Sequence, residues 1–166
     1  MDSINNTKDC IVFHTVYLGL GTNLGNKENN IELALMKIEK QIGNIFSSSA
    51  FYVSEPFGFE SDNLFINCAI GIKTVYSPLE VFYKTQLIEE KMGRIHNTDL
   101  AGYSDRVIDI DILLYDNLII NDKPNLTIPH SKMHERDFVL KPLSEIAPHV
   151  IHPVLNKTIL HLLKTI

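Results

Sequence analysis

The segment Arg106-Val107-Ile108-Asp109-Ile110-Asp111-Ile112-Leu113-Leu114 constrains this chain more than any other stretch. Aliphatic and β-branched residues dominate it, so it reads as a β-strand. Side chains alternate across a strand, which puts Ile108, Ile110 and Ile112 on one face and Asp109 and Asp111 on the other. The isoleucine face needs other elements to cover it. The opposite face carries two carboxylates that repel each other. Two readings follow from the strand alone: a hard divalent cation such as Mg²⁺ lies between the carboxylates, or the face is open and both aspartates are solvated.

The rest of the chain supplies partners for such a strand. His14 to Leu20 reads as a strand running into the glycine-rich Gly19-Leu20-Gly21-Thr22-Asn23-Leu24-Gly25. Lys27 to Gln41 has helical spacing, with Ile31, Leu35, Ile38 and Ile42 on one stripe and Gly43 as the stop. Ile45 to Val53 and Leu64 to Val75 read as two further strands. Ser77-Pro78-Leu79-Glu80 opens a helix, with Ser at the N-cap, Pro at the first helical position and Glu completing a capping box; Gly93 ends it. After the aspartate strand, Asp116-Asn117 predicts a turn and Leu118 to Ile120 a returning strand. Leu126 to Ile128 is a short extended piece. Lys132 to Ile146 predicts a helix interrupted near Pro142, and Thr158 to Lys164 a short last one. The order is β-α-β-β-α-β, which defines an α+β class: a ferredoxin-like core, an antiparallel sheet with helices on one face, plus a C-terminal extension.

Composition bounds the function. A length of 166 residues fits one domain, here residues 1–166, with 1–12 expected as a poorly ordered N-terminal extension. The net charge of −5 speaks against a nucleic-acid partner, which needs a basic footprint. No apolar run is long enough for a membrane span, and Met1 to Cys10 lacks an apolar signal core. Cys10 and Cys68 have no metal or redox spacing, so a reducing cytoplasm is expected. The chain is expected to act as a monomer.

Local motifs carry different weights. Gly25-Asn26-Lys27-Glu28 lacks the ending of a phosphate-binding P-loop, and Gly19, Gly21 and Gly25 miss the dinucleotide spacing, which leaves a tight strand-to-helix connection. His130 and His134 are four apart, but Pro129 precedes them and no zinc-protease glutamate accompanies them, so a role other than metal binding is favoured. Arg94, Arg106 and Arg136 are the only arginines, and their forked donors suit phosphate oxygens. Phe65, Asn67 and Phe138 form either a slot for a flat heterocycle or part of the core.

Taken together, several segments resemble the 6-hydroxymethyl-7,8-dihydropterin pyrophosphokinases. Tyr17-Leu18-Gly19-Leu20-Gly21-Thr22-Asn23-Leu24-Gly25 resembles the family's opening, and Phe51-Tyr52-Val53-Ser54-Glu55-Pro56-Phe57-Gly58 its second loop. Phe65-Ile66-Asn67 is similar to its central strand, and Arg106 to Ile112 to its signature. Ile128-Pro129-His130 and the stretch from Arg136 to Leu143 resemble its C-terminal elements. The ordered match runs from about Tyr17 to Pro153.

The resemblance implies transfer of the pyrophosphoryl group of ATP to the pterin hydroxymethyl, releasing AMP, in folate biosynthesis. It implies two Mg²⁺ ions held by Asp109 and Asp111, with Arg94 and Arg106 joining them in catalysis. The pterin would stack between Phe65 and Phe138, read by Asn67 near Ser54, Phe57 and Asp109. Gln86, Glu89, His96 and Arg106 would face ATP, as would Ile112, Thr127, His130 and Arg136. The chain departs from the family pattern at His96, at Tyr103-Ser104-Asp105 before the signature arginine, and at Ser131. The loop from Arg94 to Asp105 is expected to be mobile without ligand.

Overall fold

The computed structural model describes residues 10–94, 104–122 and 126–166. In chain order these form β1 (His14–Thr22), α1 (Lys27–Gln41), β2 (Asn44–Ser48), β3 (Tyr52–Ser54), β4 (Phe65–Thr74), α2 (Pro78–Lys91) and β5 (Asp109–Tyr115). Then follow β6 (Ile120–Asp122), β7 (Leu126–Ile128), α3 (Asp137–Ile146), β8 (Ile151–His152), β9 (Lys157–Thr158) and α4 (Ile159–Leu163). The main sheet runs β2-β4-β1-β5, with β3 also on β4, and these pairings are antiparallel.

The helices begin where their caps dictate. Asn26 accepts the Asn29 N–H at the start of α1. Ser77 and Glu80 form the reciprocal capping box that opens α2, with the Ser77 N–H donating to Glu80 at 2.8 Å. Ile31, Ala34 and Ile38 of α1 and Val81 and Ile88 of α2 bury against Val16, Leu18, Leu20, Ile66, Ile70, Ile72, Ile110 and Ile112 of the sheet. Each buried valine, leucine or isoleucine among them contributes about 1.5–3 kcal/mol relative to exposure.

The sheet's other face is covered too. Leu140 and Leu143 of α3 and Ile159 and Leu162 of α4 pack on Ala69, Leu113 and Leu114. The expected one-sided arrangement therefore holds for α1 and α2, while the C-terminal region adds a third layer. The uninterrupted burial of β4 from Phe65 to Ile72 follows from this second cover.

Four local expectations change. The segment Arg106–Ile108 bends before β5 begins at Asp109, because the Arg106 N–H and carbonyl are both taken by Asn23. The predicted strand Ile45–Val53 breaks into β2 and β3, since the Ala50 N–H turns away to Glu145 of α3. Asp116 turns the chain at φ 43°, but β6 pairs with β7 and not with β5. Pro142 lies inside α3 without ending it, for a proline removes only one helical N–H and Leu140 and Leu143 remain fully buried.

Candidate active site

Two cross-strand rows form the floor of a cleft on the face away from α1 and α2. Asn67 on β4, Gly21 on β1 and Asp109 on β5 make one row; Ala69, Gly19 and Asp111 make the next. Both middle positions are glycine, so the floor between Asn67 and the aspartates is bare backbone. A Cβ on Gly21 would meet Asn67 Oδ1 at 3.2 Å, and one on Gly19 would meet the Leu113 side chain at 3.3 Å. A register shift in β1–β5 falls beside Leu113, which closes this end of the floor.

The cleft measures about 650 Å³ with its open mouth. Ser54, Phe57, Phe65, Asn67, Arg106, Asp109, Asp111, Arg136 and Phe138 all line it, so nine expected site residues converge. The Asn67 amide donates to Ser54 Oγ at 2.9 Å and to the Tyr52 carbonyl at 3.3 Å. Phe57 leans on Phe138 with ring centres 5.8 Å apart, and the buried Arg136 guanidinium sits 5.5 Å from the Phe57 ring. Phe59 stands edge-on to Phe65, and Arg106 lies 5.4 Å from the Phe65 ring.

Charge is concentrated at the other end of the row. Asp109 receives Arg94 on one oxygen and Arg106 on the other, the latter at 3.1 Å. Arg94 also bridges to Glu89 at 2.7 Å, and the same Glu89 oxygen accepts the Ile110 N–H at 2.6 Å. Burial lifts the Glu89 carboxyl to about 8 despite the pull of Arg94. Desolvation, then the neighbouring Asp109 charge, raises Asp111 well above the usual carboxylate range. His130 Nε2 lies 3.9 Å from Asp111, and burial pushes its imidazole down to about 4, keeping it neutral.

The remaining expected residues lie apart from the cleft lining. Gln86 is half-buried on α2, and Thr127 is half-buried on β7; both of those elements pack on β5. Ile112 turns its side chain into the core, opposite the aspartates. His134 is held in a one-turn 3-10 helix (Met133–Glu135), facing Glu135 and the His152 ring, and does not share a helix face with His130. His96 and Tyr103, and the mobility expected of their loop, lie outside the described residues. The Cys68 thiol is buried and pushed up to about 12.

Sequence reasoning missed Asn23, Phe59 and the purpose of Gly19 and Gly21. The period-two spacing of the glycines was the available signal, because it strips side chains from one face of a strand.

Asp111, with no charged counterpart in His130, offers hard oxygen donors to Mg²⁺, while Asp109 could share an ion only alongside the guanidiniums that hold both of its oxygens. Among the described residues no cluster of three or more His, Cys, Asp or Glu gathers as a closed metal cage. An ion that keeps waters and phosphate oxygens in its shell fits such a pair.

Aromatic rings, carboxylates and guanidiniums share one sheet floor in this cleft, an arrangement suited to a transferase of phosphate groups. The chain belongs to the 7,8-dihydro-6-hydroxymethylpterin-pyrophosphokinase family, whose model matches residues 17–148. It is 40% identical over 138 residues to the 2-amino-4-hydroxy-6-hydroxymethyldihydropteridine pyrophosphokinase of Porphyromonas gingivalis, covering 83% of this chain and 93% of that one. Identity to the enzyme of the same name from Aquifex aeolicus is 40% over 143 residues, 86% of each chain. The fold is also that of wild-type Plasmodium falciparum HPPK-DHPS with pteroate, at a TM-score of 0.76 and 20% identity. That match covers 93% of this chain and 44% of the other, so this chain spans less than half of that structure's length.

Proposed function

We propose that this chain transfers the pyrophosphoryl group of ATP to 6-hydroxymethyl-7,8-dihydropterin, giving the pterin diphosphate and AMP in folate biosynthesis. The observation that carries the reading is the Asn67–Gly21–Asp109 row, which joins a ring-reading amide to a phosphate-handling carboxylate across bare backbone.

The pterin stacks between Phe65 and Phe138, with the Asn67 amide and groups near Ser54 and Phe57 on its polar edge. Its hydroxymethyl points along the row toward Asp109. Asp109 and Asp111 would hold two Mg²⁺ ions, which when bound neutralise and orient the triphosphate. The hydroxymethyl oxygen forms a bond to the β-phosphorus as the bond from that phosphorus to the α,β-bridging oxygen breaks. The hydroxyl proton leaves toward the aspartate pair. Arg94, Arg106 and Arg136 stabilise charge on the moving group and on AMP. His130, neutral at physiological pH, hydrogen-bonds a phosphate oxygen as a donor. Gln86, Glu89, Thr127 and the backbone of Ile112, whose side chain is in the core, would face the nucleotide, and His96 is a further proposed ATP contact.

The reading treats residues 1–166 as one ferredoxin-like unit with a C-terminal extension. The strand order β2-β4-β1-β5 and the two apolar clusters on opposite faces of one sheet support it.

The test is direct. Incubation with ATP, Mg²⁺ and the hydroxymethyl dihydropterin should yield AMP and the pterin diphosphate. ADP as the nucleotide product would mean transfer of a single phosphoryl group and defeat the proposal.

A further inference from the structure

Asp105, the residue just before Arg106, is the centre of a hydrogen-bonded knot. Asn23, only 2% exposed, accepts the Arg106 N–H on Oδ1 at 2.8 Å, and its own N–H donates to the Arg106 carbonyl at 3.2 Å. A backbone N–H can only donate, so the Asn23 oxygen must face it, and the amide nitrogen is left to face Asp105. That nitrogen donates to Asp105 Oδ1 at 2.7 Å and to the Asn63 carbonyl at 3.3 Å. The Asn63 amide donates to the second oxygen, Asp105 Oδ2, at 3.0 Å. The Ser61 hydroxyl bonds the same carboxylate and also accepts the Asn63 N–H at 3.1 Å.

Three donors from two separate connections therefore converge on one acceptor-only group. One connection follows β1. The other, between β3 and β4, carries Phe57 and Phe59 along the cleft. The segment they fix delivers Arg106 to Asp109 Oδ2 and to the ring of Phe65.

We infer that Asp105 is a positioning residue: it ties the Ser61–Asn63 turn and the loop after β1 to the backbone of Arg106, and so sets where that guanidinium stands in the cleft. The inference rests on the proposed reaction, because Arg106 matters to turnover only if it meets phosphate. An asparagine at position 105 has nearly the same shape but turns an NH₂ toward donors, so it breaks the knot without opening a hole.

The test compares Asp105→Asn, Asn23→Ala and the double variant. Asp105→Asn should lower kcat about tenfold while pterin affinity, read by ligand fluorescence, is unchanged, because the loss is one of placement and not of a contact with the ring. Asn23→Ala should do the same, and the double variant should fall little further, since both act through one network. The Arg106 amide should exchange with solvent faster in Asp105→Asn than in the unaltered chain. A kcat within about twofold of the unaltered chain, or a loss carried wholly by KM, overturns the inference. If the unaltered chain itself forms no AMP, the reaction is wrong, and unchanged exchange at Arg106 would separately show that the tie is wrong.

Discussion

Asn67 and Asp109 stand in one row of the sheet, on either side of Gly21. Two strand spacings put their Cα atoms about 10 Å apart, a distance fixed by the ladder and not by side-chain choice. In the proposed reading a ring bound at Asn67 would lie over the Gly21 backbone, with a short arm enough to reach Asp109.

Gly21→Ala tests that geometry. Its new methyl would sit 3.2 Å from Asn67 Oδ1 and 3.8 Å from the Phe65 ring, in the space assigned to the ligand. Overpacking there should weaken pterin binding about tenfold or more in a fluorescence titration. Unchanged affinity would show that the ring lies elsewhere.

Phe138→Ala removes one proposed wall of the slot. The Phe138 ring meets Phe57 and the Arg136 guanidinium, with centres 5.8 Å and 5.7 Å away. Pterin affinity should fall about tenfold by calorimetry, with kcat at saturating pterin close to that of the unaltered chain.

Asp111→Asn keeps the shape and removes a charge that its surroundings oppose. Turnover should drop about a hundredfold or more. The thermal midpoint should hold or rise, because repulsion from Asp109 is relieved. A normal rate would remove Asp111 from the metal site.

The Glu89 carboxyl titrates near 8 in the folded chain and near its ordinary 4.5 when unfolded. Between those values the folded state holds a proton that the unfolded state has released, so stability should decline as pH rises from about 4.5 to about 8. Denaturant midpoints measured across that range should show the slope, and Glu89→Gln should flatten it. An equal slope in the variant would assign the effect to another group.

The fold was legible wherever a local pattern and its tertiary setting agreed. Ser77 and Glu80 capped α2 as their spacing required, and the stripe of Ile31 and Ile38 faced the core. It was illegible where a distant partner took a backbone group. Nothing near Arg106 in sequence says that Asn23 claims both of its backbone polar groups, so β5 begins three residues later than the apolar run from Arg106 suggests. Nothing near Ala50 announces Glu145. The cleft was legible as residue types, since charged and aromatic positions stood out. Its floor was not, because a strand glycine has no side chain to declare a purpose and its meaning depends on the strands beside it.

The burial of β4 between two helical layers has a consequence for how this protein can change. Phe65 and Asn67 belong to a buried strand and also line the cleft, so a change at either would disturb packing and the proposed ligand site together. Phe57, half exposed, lines the cleft without belonging to either apolar cluster. Variants that accept an altered ring should therefore accumulate substitutions along the rim and leave the floor as it is, so that the enzyme drifts from its edges inward.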